Sequence, residues 1–284
     1  MKNFLKNILC VSLISFLLFK TEKTQSIIPY YYFPTTKNLQ KESLNISKNA
    51  YQLLYFGNYE EALNLAKLAV KINAKDEKLW LILSEAQLAN KLYIEALDSL
   101  KNAENINSNV SEIYFSKSKV YLQISQQKNA KIALQKGLTI EPNNHNAIFQ
   151  LGNIALMEKN FTDAIKLFNK SAKIKPDFWP AINNKGLAYF EKNNINLAIK
   201  VFEEAISLQD NAEPLLGLAS CLRIKDIDLA IQLAKKALTK NANYVSYEYR
   251  KEQLWGEKLQ ASTEILLQNQ QLQKDVKLAK SKIK

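Results

Sequence analysis

The stretch that decides the fold is residues 151–176, LGNIALMEKNFTDAIKLFNKSAKIKP. Apolar and small residues recur every three or four positions on either side of the polar step Glu158-Lys159-Asn160, which predicts two short amphipathic helices joined by a tight turn. Pro176 ends the second helix because its ring cannot continue the backbone ladder. Neither helix is long enough to be stable alone, so the unit needs neighbours to pack against.

The same pattern returns every 34 residues. Two antiparallel helices approach closely only where their facing residues are small, and three columns of the repeat are small throughout. One column is an unbroken run of alanines: Ala62, Ala96, Ala130, Ala164 and Ala198. Twelve residues before each alanine stand Ala50, Ser84, Ser118, Gly152 and Gly186; seven residues after it stand Ala69, Ala103, Gly137, Ser171 and Ala205.

This period and these small columns resemble the tetratricopeptide repeat family. The family's closing proline is kept only at Pro142 and Pro176. The resemblance implies an all-α fold, a right-handed α-solenoid of about six helix-turn-helix units. The predicted array covers 43–244, with units at 43–76, 77–110, 111–144, 145–178, 179–212 and a shorter one at 213–244.

Residues 1–25 have the layout of a targeting segment. Lys2 and Lys6 precede an apolar run from Ile8 to Phe19. That run is shorter than the roughly 20 residues of a membrane-spanning helix and suits the core of a signal peptide. Charged residues follow at once without a small-x-small cleavage site, so an uncleaved membrane anchor is an alternative, as is a buried first helix of a cytosolic domain. We expect membrane association, or a periplasmic or lumenal location if the leader is cleaved.

Residues 26–42 begin with SIIPYYYFPTT, in which two prolines bracket four aromatic residues. Prolines exclude a helix interior here. We predict an extended strap whose rings cover the edge of the first repeat; an aromatic segment at the level of lipid headgroups is the alternative.

Residues 245–284 lose the 34-residue columns but keep helical spacing. We predict a capping helix that covers the apolar face of the last repeat, as an open-ended solenoid requires. Its end is rich in lysine. That basic end is either a solvated helix terminus or a contact for an anionic membrane or partner.

Composition argues against catalysis. The chain has one histidine, His145, and two cysteines, Cys10 in the leader and Cys221 among apolar neighbours. These cannot form a zinc site of the usual ligands, and phosphate loops and nucleophile elbows are absent from the sequence. We therefore expect no enzyme activity, no cofactor, no metal and no structural disulfide. The net charge of +12 is spread along the chain, which argues against nucleic acid as the partner.

The family resemblance implies that the first helix of each repeat lines a concave groove. Rings and aliphatic groups mixed with lysine and asparagine suit a client protein's apolar helix or extended peptide. The alternative is that these side chains pack against each other or hold the chain's own tail. The family's two-carboxylate clamp is absent, so a chaperone tail is not the expected ligand. The predicted groove residues are Tyr51, Leu54, Tyr55, Leu81, Glu85, Leu88, Phe115, Lys119, Leu122, Phe149, Asn153, Leu156, Asn183, Asn184, Leu187 and Phe190.

These features together predict a non-catalytic protein–protein interaction scaffold at a membrane. The leader, the strap and KEQLWGEKLQ at 251–260 resemble membrane-associated tetratricopeptide proteins of cyanobacteria and plastids, which implies a role in assembling a membrane or photosynthetic complex. The alternatives are an exported module in envelope or polysaccharide assembly and an RNA-binding helical repeat. Neither the client nor the oligomeric state follows from the sequence.

Overall fold

The computed structural model describes residues 35–283, so the predicted leader and most of the predicted strap lie outside the described residues. The chain divides into a unit of residues 1–41 and a unit of residues 42–284. Of the first unit, residues 35–41 are described, and they are helical from Thr36 onward. Throughout the described range the regular structure is helical, without a β-strand.

Helices follow one another in pairs through the predicted array, which confirms the α-solenoid. In the second to sixth pairs the two helices pack together, and the second helix of each pair contacts the first helix of the next. The twelve helices are α1 (Thr36–Tyr55), α2 (Tyr59–Ile72), α3 (Glu77–Ala89), α4 (Tyr93–Ile106), α5 (Ser111–Gln123), α6 (Gln127–Ile140), α7 (His145–Met157), α8 (Phe161–Ile174), α9 (Trp179–Glu191), α10 (Ile195–Leu208), α11 (Ala212–Leu222) and α12 (Ile227–Lys240).

The C-terminal segment caps the array, but it is three short helices rather than one. After a 3₁₀ turn at Ala242–Val245 come α13 (Tyr247–Glu252), α14 (Glu257–Leu267), a second 3₁₀ turn at Gln270–Leu272 and α15 (Gln273–Lys282). The break after α13 includes Leu254, whose φ of 65° is incompatible with a continuous helix. These breaks let the segment contact both the end of the array and its first-helix face.

Short polar side chains start several helices. The side-chain oxygen of an Asn or Asp accepts a hydrogen bond from a backbone N–H of the first turn, satisfying a donor that has no partner within the helix. Asp76 does so for α3, Asn144 for α7, Asn160 for α8, Asn211 for α11 and Asp226 for α12.

The turn inside each of the first five repeats has one backbone conformation. One residue per turn has left-handed φ, between 57° and 81°, and the next residue's N–H bonds back to a carbonyl near the end of the preceding helix. This geometry satisfies carbonyls that the helix leaves free. Only the first of the five is glycine, and the set is Gly57, Lys91, Ser125, Lys159 and Asn193.

The small columns lie in the core. All five alanines of the unbroken column are 0% exposed. In the fourth and fifth repeats a large ring on the second helix fills the space beside a glycine on the first helix. Gly152 faces Phe168, and Gly186 faces Phe202. A Cβ built on Gly152 would lie 2.5 Å from the Phe168 ring. The third repeat has Ser118 and Leu134 at these two positions. Serine is larger than glycine and leucine is smaller than phenylalanine, so the two side chains together fill a similar space between the helices.

Candidate functional site: the concave face

The first helices of the second to fourth repeats, with the end of α1, border a cavity of about 660 Å³. We call this cavity the open groove. Five elements contribute to it, which places it across several repeats rather than within one. Its lining is Tyr51, Leu81, Ile82, Glu85, Glu112, Phe115, Ser116, Ser118, Lys119, Leu122, Gln123, Leu134, Asn144, Asn146, Ala147 and Gln150.

Six of the predicted groove residues line the open groove. Tyr51 offers the largest apolar surface, since 60% of it is exposed. The Phe115 ring is held from behind by Gly137, because a Cβ at that glycine would overlap the ring. The other four are Leu81, Glu85, Lys119 and Leu122.

An ion pair spans two repeats in the open groove. The Nζ of Lys119 donates to Oε1 of Glu85 at 3.1 Å, and the two residues stand at equivalent positions one repeat apart. Their side chains are 60% and 37% exposed. A pair this accessible contributes little to stability, so both groups can exchange partners with a ligand at small cost.

The other end of the concave face is occupied by the protein's own C-terminal segment. Helix α14 packs against α9 and α11, the first helices of the fifth and sixth repeats. Five of the predicted groove residues are buried in the protein, in keeping with the alternative that the groove residues pack internally or hold the chain's own tail. The buried ones are Leu156, Asn183, Asn184, Leu187 and Phe190.

A buried carboxylate holds the start of α14. Glu191, at the end of α9, is 5% exposed, and its Oε1 accepts from the backbone N–H of Leu259 at 2.9 Å. Gly256 lies so close to this carboxylate that a Cβ would overlap it. The free N–H groups of a helix N-terminus favour a negative charge, so Glu191 both caps and positions α14.

A second buried carboxylate anchors the chain just before α14. The indole N–H of Trp255 donates to Oε1 of Glu213 at 3.1 Å. Burial raises the pKa of Glu213 to about 6, although hydrogen bonds from Trp255, Asn183 and Tyr244 oppose the shift. The C-terminal segment is thus attached to α11 by a contact that involves a titratable group.

Helix α14 meets α11 through small polar groups. The hydroxyls of Ser220 and Thr263 are 2.7 Å apart, Ser262 Oγ donates to the Ser220 carbonyl at 2.9 Å, and Arg223 Nε donates to Ser262 Oγ at 2.8 Å. Because buried polar groups lose free energy unless their partners are correctly placed, these bonds fix the register of α14.

Arg250 joins the pieces of the C-terminal segment. It is fully buried, and its Nε donates to Gln260 and its Nη1 to the Tyr244 carbonyl, at 2.8 and 2.7 Å. Its Nη2 pairs with Glu264. One guanidinium therefore connects the 3₁₀ turn, α13 and α14.

Amide side chains connect the two ends of the concave face. Asn184 Nδ2 donates to Asn153 Oδ1 at 2.9 Å, and Asn183 Nδ2 donates to Asn184 Oδ1 at 3.1 Å. Asn153 in turn donates to Gln150 of the open groove at 3.4 Å. Within residues 35–283, Asn183 Oδ1 is the one buried side-chain oxygen or nitrogen without a hydrogen-bond partner.

The remaining predicted residues lie near the open groove without lining it. Leu54 and Leu88 pack, half-buried, against core clusters of the first three repeats. Tyr55 is 83% exposed and contacts the Phe56 ring. The Phe149 ring packs against the rings of Phe168 and Phe178, with centroids 5.7 and 5.2 Å apart.

Several lining residues were not predicted, among them Gln150, Ser116 and Ile82. Each directly follows a residue that was predicted: Gln150 follows Phe149, Ser116 follows Phe115 and Ile82 follows Leu81. A helical side chain leans toward the N-terminus, so a given surface spot is covered by a residue about one position further along. Shifting the predicted column by one residue would have found them.

Within the described residues, Cys221 is a free cysteine and it is buried. Burial raises the pKa of the Cys221 thiol to about 12, which keeps it protonated and a poor nucleophile. No cluster of His, Cys, Asp and Glu between residues 35 and 283 has the arrangement of a metal site. In the same range, none of the helices combines the length and the apolar character needed to cross a bilayer.

Comparison with known proteins identifies the repeat. The tetratricopeptide repeat model matches residues 111–144 and 180–211, the third and fifth windows of the 34-residue period. No curated protein matches the sequence.

Solved structures share the fold at low identity. PilF of Pseudomonas aeruginosa is 17% identical with a TM-score of 0.65, covering 75% of this chain and 98% of its own. PilW, described as a type IV pilus biogenesis factor, is 20% identical with a TM-score of 0.60, covering 82% and 98%. YrrB, described as a TPR protein with an unusual peptide-binding site, is 20% identical with a TM-score of 0.50, covering 71% and 98%. The chain therefore contains tetratricopeptide repeats, at 111–144 and 180–211, within the solenoid fold that these structures share.

Proposed function

We propose that this protein is a non-catalytic scaffold that binds a peptide or helix of a client protein in the open groove. The observation that carries the proposal is a cavity of about 660 Å³ on the concave face of a repeat fold that commonly serves protein interaction. YrrB, a structural neighbour, is described as having a peptide-binding site, which supports the same use of the fold.

The lining suits a protein segment better than a small metabolite. Tyr51, Leu81 and Phe115 offer ring and aliphatic surface, while Asn146 and Gln150 offer amides that can donate to and accept from a peptide backbone. Large exposed rings and a few placed polar groups are the composition of protein interfaces at their energetic centres.

Site-specific photo-crosslinking tests this proposal in cells. A photoreactive amino acid at Gln150 faces the open groove, and one at Ile132, which is 63% exposed on α6 and outside the groove lining, is the matched control. We expect one defined client to crosslink from Gln150 and not from Ile132. Equal capture from both positions would contradict the proposal.

Substitution then measures the groove's contribution. Tyr51→Ala should weaken binding of the identified client about tenfold or more, because an interfacial tyrosine is often a hot spot. Tyr55→Ala, on the same helix and outside the groove lining, is the control. If Tyr55→Ala weakens binding and Tyr51→Ala does not, the binding site lies at the first repeat's turn instead.

The proposal places the scaffold at a membrane, and residues 1–25 are the basis for that part. Assembly of a membrane complex is the role that this layout favours, and an exported envelope module is the alternative. Fractionation separates them: an anchor predicts carbonate-resistant membrane association of the full chain. A soluble mature protein that lacks the first 25 or so residues would favour export instead.

A further inference from the structure

A second groove lies where the turn after α11 meets α14, with a volume of about 500 Å³. Phe190, which is 7% exposed, forms part of its buried wall. At its edges stand Ile224 and Ile265, which are 79% and 53% exposed. Two aliphatic side chains this exposed at the edges of one cavity offer a partner apolar surface next to a recess.

Three cations border this second groove, and neutral oxygens hold each of them. Arg223 Nε donates to Ser262 Oγ at 2.8 Å, Lys258 Nζ donates to the Glu191 carbonyl at 2.7 Å, and Lys225 Nζ bonds to Asn196 Oδ1. A neutral acceptor orients a cation without cancelling its charge. These three charges are therefore pre-positioned, and within residues 35–283 none of them forms a direct ion pair with a carboxylate.

The carboxylates near the second groove accept hydrogen bonds from backbone N–H groups at helix starts. None belongs to its lining. Glu191 is buried and accepts from backbone N–H groups at the start of α14, and Asp226 caps α12 by accepting from Leu229 N. The lining itself thus carries three positive charges and no negative one, beside an apolar wall of low dielectric, where charge complementarity has most effect.

We propose that the second groove docks an acidic peptide segment, one that pairs carboxylates with an aliphatic or aromatic side chain. The cavity takes the apolar side chain between Phe190, Ile224 and Ile265, and the carboxylates meet Arg223, Lys225 and Lys258. A recess bordered by oriented donors matches a protein segment better than the flat surface of an anionic bilayer. This site lies outside the open groove and does not depend on it.

The test uses the full chain and a set of short fluorescein-labelled peptides in which leucine alternates with glutamate, glutamine or lysine. Fluorescence anisotropy should show binding of the glutamate–leucine peptide alone, weakening as salt is added. Lys225→Glu and Ile224→Ser, both at exposed positions, should each weaken it about tenfold. Lys170→Glu on α8 and Ile132→Ser on α6 are matched surface controls and should leave it unchanged.

Two results would overturn the proposal. One is equal binding of the glutamate and glutamine peptides, or binding unchanged by Lys225→Glu and Ile224→Ser. The other is binding to vesicles of phosphatidylcholine and phosphatidylserine that Lys225→Glu abolishes while the glutamate–leucine peptide stays unbound, which would assign the groove to a membrane. Tyr51→Ala should leave peptide binding here intact, so failure at this site is distinguishable from failure of the open groove.

Discussion

The second to fourth repeats and the fifth and sixth repeats present equivalent positions to opposite environments. One column of the repeat holds Glu85, Lys119, Asn153 and Leu187. Glu85 and Lys119 form an exposed ion pair in the open groove, whereas Leu187 is 0% exposed beneath the C-terminal segment. The same face of the repeat is thus exposed at one end and part of the core at the other, depending on whether the C-terminal segment covers it.

Helix α11 is suited to being covered on both sides. All of its residues from Ala212 to Cys221 are buried, because α12 covers one face and α14 the other. A helix that is apolar all round needs such burial. By contrast, α5 keeps Lys119 and Gln123 at the surface. The C-terminal segment therefore completes the core at one end and leaves the other free for a partner.

Detaching the C-terminal segment should have the largest effect. Arg250→Ala leaves Gln260 and the Tyr244 carbonyl buried without their donor and should cost about 3–5 kcal/mol. Hydrogen exchange should show that α13–α15 lose protection while α3–α8 keep theirs. Arg223→Ala, which removes one hydrogen bond, from Arg223 Nε to Ser262 Oγ at 2.8 Å, is the control and should cost about 1 kcal/mol. Equal loss of hydrogen-exchange protection in α13–α15 and in α3–α8 would contradict the distinction between the two regions.

Overpacking at the boundary between the two regions should come next. Gly152→Ala places a Cβ about 2.5 Å from the Phe168 ring and should cost about 3 kcal/mol in urea unfolding. Adding Phe168→Leu should restore part of that stability, because it approaches the Ser118–Leu134 combination of the preceding repeat. A double variant less stable than Gly152→Ala alone would show that the two columns do not share one volume.

Stability of the covered region should depend on pH through Glu213. Burial raises its pKa from about 4.5 to about 6, so the folded protein holds this proton more tightly than the unfolded chain. The resulting stability is fully present below about pH 4.5 and is lost as the pH rises through 6, amounting to about 2 kcal/mol. The difference in unfolding free energy between wild type and Glu213→Gln isolates this effect, because all other groups are common to both. A difference independent of pH between 4 and 7.5 would rule the mechanism out.

The smallest effect on stability is expected for a substitution in the open groove. Lys119→Ala should change the unfolding free energy by less than about 1 kcal/mol, since its pair with Glu85 is exposed. Leu187→Ala, in the same column but buried, should cost about 2–5 kcal/mol. Thermal melts of the two variants compare the regions directly, and similar costs would remove the distinction between them.

The repeat fold could be predicted from the sequence because each repeat is determined by contacts within itself and with its immediate neighbours. Small residues such as Ala130 and Gly152 recur at a fixed interval, and each is buried against its neighbouring helix. The groove columns were projected from the family resemblance onto this period, and Tyr51, Phe115 and Lys119 line the cavity.

Coverage by the C-terminal segment could not be predicted in the same way. The bond between Glu191 and Leu259 joins residues 68 positions apart, and no period relates them. The hydrophobic spacing of residues 245–284 predicts a helix but not the surface that it meets. The apolar sequence of α11, AEPLLGLASCL, was the available signal, since it indicates a helix with neighbours on both faces.

The most direct measurement compares the thiol reactivity of two equivalent positions in a Cys10→Ser, Cys221→Ser background. Gln150 lines the open groove, and Asn184, one repeat later, is 8% exposed on α9, the helix against which α14 packs. We predict that Gln150→Cys reacts with a maleimide faster than Asn184→Cys by on the order of a hundredfold, because Asn184→Cys must wait for the segment to open. Equal rates would show that the concave face is open along its whole length and would contradict the account.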